Sequence, residues 1–207
     1  MKAQWIDQEF EYDGTQLSSL FAYMGHGVLG DSIVAWIGPC SIAFEHMVDG
    51  EDVLAGATIA GRRMLHFIIE KFHTPLETAV VLQRLFASIC HDLIREEWML
   101  KKSSSGDFEG KMASLEEASG HGPSLFRDGD DLFFGSGKLS ISIATVSPVS
   151  SMIHFAINVT NEGTPVKTAS LEDLGLDAQQ FAEMAMQKWV QEVTSIQEAT
   201  CKVRWVK

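Results

Sequence analysis

The stretch that decides the fold is Gly135–Val159, "GSGKLSISIATVSPVSSMIHFAINV". Two glycines and then Lys138 open it like a phosphate-binding loop. A Walker A loop needs G-x-x-x-x-G-K-[ST] running into a helix, because the amides of the helix N-terminus supply much of the phosphate binding. Here Leu132 stands at the first glycine position and Leu139 comes after the lysine, so the phosphate loop is rejected. From Lys138 onward the chain alternates with a period of two. Lys138, Ser140, Ser142 and Ala144 take one side of a strand, and Leu139, Ile141 and Ile143 take the other. "MIHFAINV" repeats the pattern, with Ile153, Phe155, Ile157 and Val159 against Met152, His154, Ala156 and Asn158. The linker "VSPVSS" is short enough to make the two strands antiparallel neighbours.

If the apolar sides of both strands join in the core, the opposite side of the sheet carries Lys138, Ser140, Ser142, His154 and Asn158 among small residues. A ligand floor has that composition, and so does a solvated sheet face, since antiparallel sheets often leave one side wet. The scarcity of long charged side chains favours the floor.

Working outward, "DDLFF" reads as a further strand, so three strands follow one another. "MLHFIIEKF" reads as a buried strand and "SIVAWIG" as a strand stopped at Gly38-Pro39. "AQWIDQEFEY" is an opening strand that leads into a short helix over "TQLSSLFAYMG". "CSIAFEHMVDGEDVLAGATIAGRR" reads as a strand followed by an irregular loop. "TPLETAVVLQRLFASICHDLIREEW" is the clearest helix: Thr74 and Glu77 form a capping box around Pro75, and Leu82, Leu85, Phe86, Ile89 and Leu93 fall on one face. Asp177 caps a final helix reaching about Ala199, and "CKVRWVK" reads as a terminal strand. Residues 101–123, rich in serine, glycine and charge, read as a long mobile loop, either a tolerated insertion or a lid. The order of elements lacks a strict βαβ rhythm and predicts an α+β fold: a mixed, largely antiparallel sheet with helices packed on one side.

At 207 residues, 45% of them hydrophobic, the chain is long enough for one sizeable core, and a single domain over 1–207 is expected. Sixteen basic against 28 acidic residues give a formal charge of −12, which argues against nucleic acid and anionic membranes as partners. No apolar run approaches the roughly 18 residues of a membrane helix and no signal peptide is visible, so a soluble cytoplasmic protein is expected. Cys40, Cys90 and Cys201 are widely spaced, without a CxxC pair, and are expected as buried free thiols. An unpaired edge formed by the terminal strand would make homo-oligomers a candidate state.

Other catalytic signatures fail. "GDS" at Gly30–Ser32 matches the serine block of an esterase superfamily, but no histidine follows His154 to complete it. "DGDD" at Asp128–Asp131 lacks the oxygen-ligand spacing of a cation loop and reads as a turn before a strand. His66 and Glu70 can share a strand face, but no second histidine stands at ligand spacing, so no metal site is assigned.

"GDDLFFGSGKLSISIATVSPVSSMIHFAINV", together with "YDGTQL", "LGDSIVAWIGPC", "HMVDGEDV", "MLHFIIE" and "LEDLGL", resembles across nearly the whole chain an uncharacterised family, domain of unknown function 366. More distantly, the order strand, helix, N-D strand, glycine turn, lysine strand, linker and a strand ending in N-V resembles biotin and lipoate protein ligases. That resemblance implies a class II synthetase-like fold and makes Lys138 the lysine placed against the ligand carboxylate and the adenylate phosphate. It matches Asp131 to the aspartate of N-D and Asn158 to the last strand's asparagine. It further implies ATP as a cofactor and a small carboxylate as ligand, beside which the strand-face reading supplies Ser140, Ser142 and His154 as binding residues. The chain departs from the ligases in three places: their glycine- and arginine-rich loop is reduced to "AGATIAGRR", Asp130 stands for the asparagine of N-D, and Ser142 stands for the glycine after the lysine strand's small residue.

Overall fold

The computed structural model describes residues 1–104 and 124–206. Strands β1 (Lys2–Trp5), β2 (Ser32–Ser41), β3 (Ala60–Phe72), β7 (Ser140–Val146) and β8 (Ser150–Asn158) form one sheet in the order β1-β2-β3-β8-β7. Only the β1–β2 pair is parallel; the other three pairs are antiparallel. Strands β4 (Leu125–Asp128), β5 (Asp131–Phe134) and β6 (Gly137–Lys138) form a second, smaller antiparallel sheet. The helices are α1 (Phe21–His26), α2 (Gly50–Ala55), α3 (Leu76–Ser104) and α4 (Ala178–Cys201), with a 3₁₀ turn at Phe44–His46.

The two long helices lie on one side of the large sheet because each carries one apolar stripe. Leu82, Phe86 and Leu93 of α3 are buried, as are Phe181, Ala185 and Trp189 of α4, against Leu65, Phe67, Phe155 and Ile157 of the central strands. Phe86 is the centre of this layer: it meets Phe67 at 5.0 Å, Phe155 at 5.2 Å and Trp189 at 5.4 Å, each edge to face. The Asp177 carboxylate accepts from the Gln180 amide at 2.8 Å, as expected of the α4 cap.

The other side of the sheet is covered by the segment after β1. Phe10 stacks on Trp36 at 4.6 Å and its carbonyl accepts from Trp36 Nε1 at 3.1 Å. The Phe10 backbone passes so close to Gly38 that a Cβ there would lie 1.9 Å from the Phe10 oxygen. Gly38 is glycine because nothing larger fits.

Several local expectations are corrected. Strand β2 does not stop at Gly38-Pro39 but runs to Ser41 through a register shift between Gly38 and Cys40. Pro39 falls at that irregularity, where its missing N–H leaves no ladder position empty. The opening strand ends at Trp5, and the stretch read as an irregular loop forms α2, whose Asp49 cap accepts from Glu51 N at 2.8 Å. The Thr74 hydroxyl turns back to the Phe72 carbonyl at 3.1 Å instead of forward onto the helix. Helix α3 extends to Ser104, into the stretch read as a loop; the remainder of that expected loop, 105–123, lies outside the described residues. "CKVRWVK" is not a strand: Cys201 ends α4 as an exposed thiol and Lys202–Val206 is irregular and exposed. With no strand there, the edge-pairing argument for self-association falls away.

Candidate functional site

The sequence places both decisive strands and the faces of β8 correctly, and the face of β7 incorrectly. In the β7–β8 register Ser140 lies opposite Ile157, Ser142 opposite Phe155 and Ala144 opposite Ile153, so these residues share the helix-facing side. Ile141 and Ile143 lie opposite Ala156 and His154 on the other side. The cause is Leu139. It sits between β6 and β7, where the chain passes from the small sheet to the large one, and is itself buried in the helix-side core. The interruption resets the alternation, so Lys138 and the two serines do not lie on one flat face with His154 and Asn158.

They are nonetheless brought to one place. A cleft of about 510 Å³ is lined by Asp131, Lys138, Ser140, Ser142, His154 and Asn158, with Tyr12, Met64, Ile141 and Ile143 supplying apolar wall. Strand β7 is an edge strand, and the cleft takes in residues from both of its sides together with the small sheet beyond it.

The glycines of "GSGK" are explained separately. Gly135 adopts φ 58° in the turn from β5 to β6. Gly137 accommodates the Thr168 peptide, whose carbonyl carbon would lie 2.6 Å from an added Cβ. Lys138 N donates to Lys167 O at 3.1 Å, Ala169 N donates back to Lys138 O at 3.1 Å, and Asn158 Nδ2 donates to both Lys138 O and Ala169 O at 3.1 Å. The lysine backbone is thus fixed on three sides, and Asn158 Nδ2 is committed to holding it.

The Lys138 ammonium pairs with the Asp131 carboxylate at 2.7 Å, both side chains about one-third exposed. Burial raises the Asp131 pKa above the ordinary carboxyl value; Lys138 pulls it down, while Asp130 and Asp128 push it up. Beside this pair, Ser142 donates to Asp130 at 2.5 Å, and Gln83 of α3 donates to Asp130 at 2.7 Å and to Ser142 at 2.8 Å. The Ser140 hydroxyl accepts from Leu132 N at 2.8 Å. Both serines therefore tie β7 to the Asp130 turn, with their hydroxyls engaged by protein.

The far floor of the cleft is built from aromatic rings. His66 Nδ1 meets His154 Nε2 at 3.1 Å, and His66 Nε2 meets the Gly38 carbonyl at 3.2 Å. Tyr12 stacks on His154 with centroids 3.6 Å apart and planes 9° from parallel. Burial pushes His66 down to about 4 and His154 well below its usual value. Glu70, on the same strand as His66, accepts Leu20 N with both oxygens and the Ser150 hydroxyl at 2.6 Å, so the two residues serve separate structures. Among the described residues no group of three or more His, Cys, Asp or Glu is placed to hold a metal ion. "GDS" is structural: Asp31 pairs with Lys71 at 2.9 Å and Ser32 is buried in β2.

Sequence reasoning missed Tyr12, Gln83 and the partnership of His66 with His154. Gln83 carried a signal, being a polar residue between the buried Leu82 and Phe86 in a strongly apolar helix. The histidine pair carried none, because the two rings meet diagonally: His66 lies opposite Ala156 and His154 opposite Ile68.

The arrangement matches known proteins at two levels. A family model described as "Domain of unknown function (DUF366)" matches residues 1–109 and 111–204. The chain belongs to the DUF366 family. A curated relative, uncharacterized protein MJ0805 of Methanocaldococcus jannaschii, is 30% identical over 182 residues, covering 85% of this chain and 72% of that protein. A solved protein of unknown function from Pyrococcus horikoshi is 34% identical, with a TM-score of 0.82 over 99% of this chain and 100% of that one. Biotin protein ligase from Leishmania major in complex with biotin is 12% identical with a TM-score of 0.53, over 91% of this chain and 71% of that one. At that identity the likeness is one of fold: this DUF366 chain has the α+β architecture of biotin protein ligases. Among the described residues, no helix is long and apolar enough to cross a membrane.

Proposed function

We propose that the cleft binds a small carboxylate-bearing molecule with its carboxylate at Lys138, and that the protein activates or transfers the acyl group. The observation that carries this reading is a lysine with a rigidly anchored backbone in the wall of a cleft, on the fold of the Leishmania enzyme that was solved in complex with biotin. Acyl activation brings a carboxylate up to an α-phosphate, and a fixed cation offsets the repulsion and the charge of the transition state. The Asp131 partner keeps Lys138 aimed along the wall while leaving its remaining N–H groups for the ligand.

ATP is the co-substrate that this chemistry implies. Lys138 is the one lysine or arginine among the described lining residues, against Asp49, Glu51, Asp52, Asp130 and Asp131. A triphosphate would have to enter with divalent cations to meet that lining. The same acidic lining favours a second reading, in which the protein binds the carboxylate without turning it over and serves as a binding or assembly protein on a ligase fold.

Calorimetry with lipoate, octanoate and biotin, with and without MgATP, tests the site. Binding by the wild type and its loss in Lys138→Ala is expected; no binding by either protein contradicts the reading. Pyrophosphate release with the bound acid selects the enzyme, and binding without release selects the second reading.

A further inference from the structure

The polar group at the far floor of the cleft has its hydrogen-bonding direction fixed by a chain of contacts that begins in the backbone. A carbonyl only accepts, so His66 Nε2, 3.2 Å from Gly38 O, carries a proton. The pair is enclosed by Trp36, Tyr12, Ile68 and Ala156, with His66 and His154 buried to within 1% of full enclosure. Tyr12, stacked on both rings, and Cys40, in the same buried cluster, have pKa values that burial raises, Cys40 to about 12, so both stay neutral and offer no counter-charge. A neutral His66 has a bare Nδ1. His154 Nε2, at 3.1 Å, must then be the donor to it. A neutral His154 that is protonated on Nε2 has a bare Nδ1 in turn. His154 lines the cleft, and no group among the described residues bonds that nitrogen.

We propose that the Gly38–His66–His154 chain presents the His154 Nδ1 lone pair to the cleft as a fixed acceptor, and so selects a ligand that donates an N–H or O–H there. The proposal rests on the carboxylate reading above and narrows it. The substrate class becomes a carboxylic acid that bears a hydrogen-bond donor remote from its carboxylate, as against a plain alkanoic acid. Tyr12, stacked flat on His154, holds the ring plane so that the lone pair keeps one direction. The selectivity follows from asymmetry: an alkyl chain laid over a buried acceptor strips it of water and returns no hydrogen bond, whereas an O–H replaces what water gave.

Two measurements test this. Nitrogen NMR of the imidazoles in the free wild-type protein should show both rings neutral from pH 7 to pH 5.5, with His154 protonated at Nε2 and bare at Nδ1. A proton on His154 Nδ1, or an imidazolium at either ring, overturns the proposal whether or not any ligand binds. Calorimetry should compare straight-chain acids of six to ten carbons with their ω-hydroxy counterparts. At the length that spans the cleft, the hydroxy acid should bind the wild type at least 10-fold tighter, and His154→Phe should abolish that preference by weakening the hydroxy acid and tightening the plain acid, which no longer covers an unsatisfied acceptor. Binding of plain acids with no hydroxy preference at any length overturns the proposal and leaves the carboxylate reading standing. If no acid of either series binds, the carboxylate reading fails and this narrowing of it fails with it, even where the NMR result is as expected.

Discussion

The two sides of the large sheet are made from the same strands, and both bury apolar residues, but only one of them also buries two histidines and a glutamate. The helix side is closed around Phe86, which packs with Phe67, Phe155 and Trp189, and its polar contacts are those of Gln83, Ser140 and Ser142 at the β7 edge. The other side holds His66, His154, Glu70 and Asn158, all buried and all hydrogen-bonded. The first side gains stability from area removed from water, and the second gains direction from donors and acceptors whose partners are fixed. In β8 the two roles alternate residue by residue: Ile153, Phe155 and Ile157 face the helices while His154 and Asn158 face away.

Removing the helix-side centre should have the largest effect. Phe86→Ala should destabilise the fold by about 4 kcal/mol, read by chemical denaturation, because the ring is fully buried against three others. Gly38→Ala comes next and attacks the other side. Its Cβ would meet the Phe10 backbone, so the covering segment has to move, and a loss of about 3 kcal/mol is expected together with a changed Trp36 fluorescence.

Acid separates the two sides. His66 titrates near 6.5 when unfolded and near 4 when folded, so between these values the unfolded state binds the proton and the folded state does not. Stability is therefore full above pH 6.5 and falls as pH drops towards 4. The loss from His66 alone is about 2 kcal/mol between pH 7 and pH 5, and His154, lowered in the same direction, adds to it. In His66→Gln/His154→Phe this part of the pH dependence should disappear; an unchanged slope would show that the pair does not report the protonation of this side. The smallest effect on stability belongs to Lys138→Met. Its ion pair with Asp131 is part-exposed, so a change of no more than about 1 kcal/mol is expected, while carboxylate binding is lost.

Fold and site were legible in the sequence to different depths. Alternation in "KLSISIAT" and "MIHFAINV" identified the strands, and the stripe of Leu82, Phe86 and Leu93 identified the helix that covers them. The faces of β8 were legible as well, but that of β7 was not, because the passage through Leu139 from one sheet to the other adds a reset that no periodicity records. The terminal strand failed for a related reason: "CKVRWVK" has strand composition but pairs with no strand among the described residues. The six residues singled out do line one cleft, yet Ser140 and Ser142 engage their hydroxyls, and Asn158 its Nδ2, with the protein itself. Composition shows which residues are polar, and only the register shows which of them still have something to offer a ligand.

The central claim is that the anchored lysine of "GSGK" faces a carboxylate. A crystal structure of the wild-type protein soaked with the tightest-binding acid tests it most directly. The carboxylate is expected within hydrogen-bond reach of Lys138 Nζ, with the rest of the molecule running along the cleft towards His154. An acid bound elsewhere, or bound in this cleft with its carboxylate turned away from Lys138, would contradict the claim.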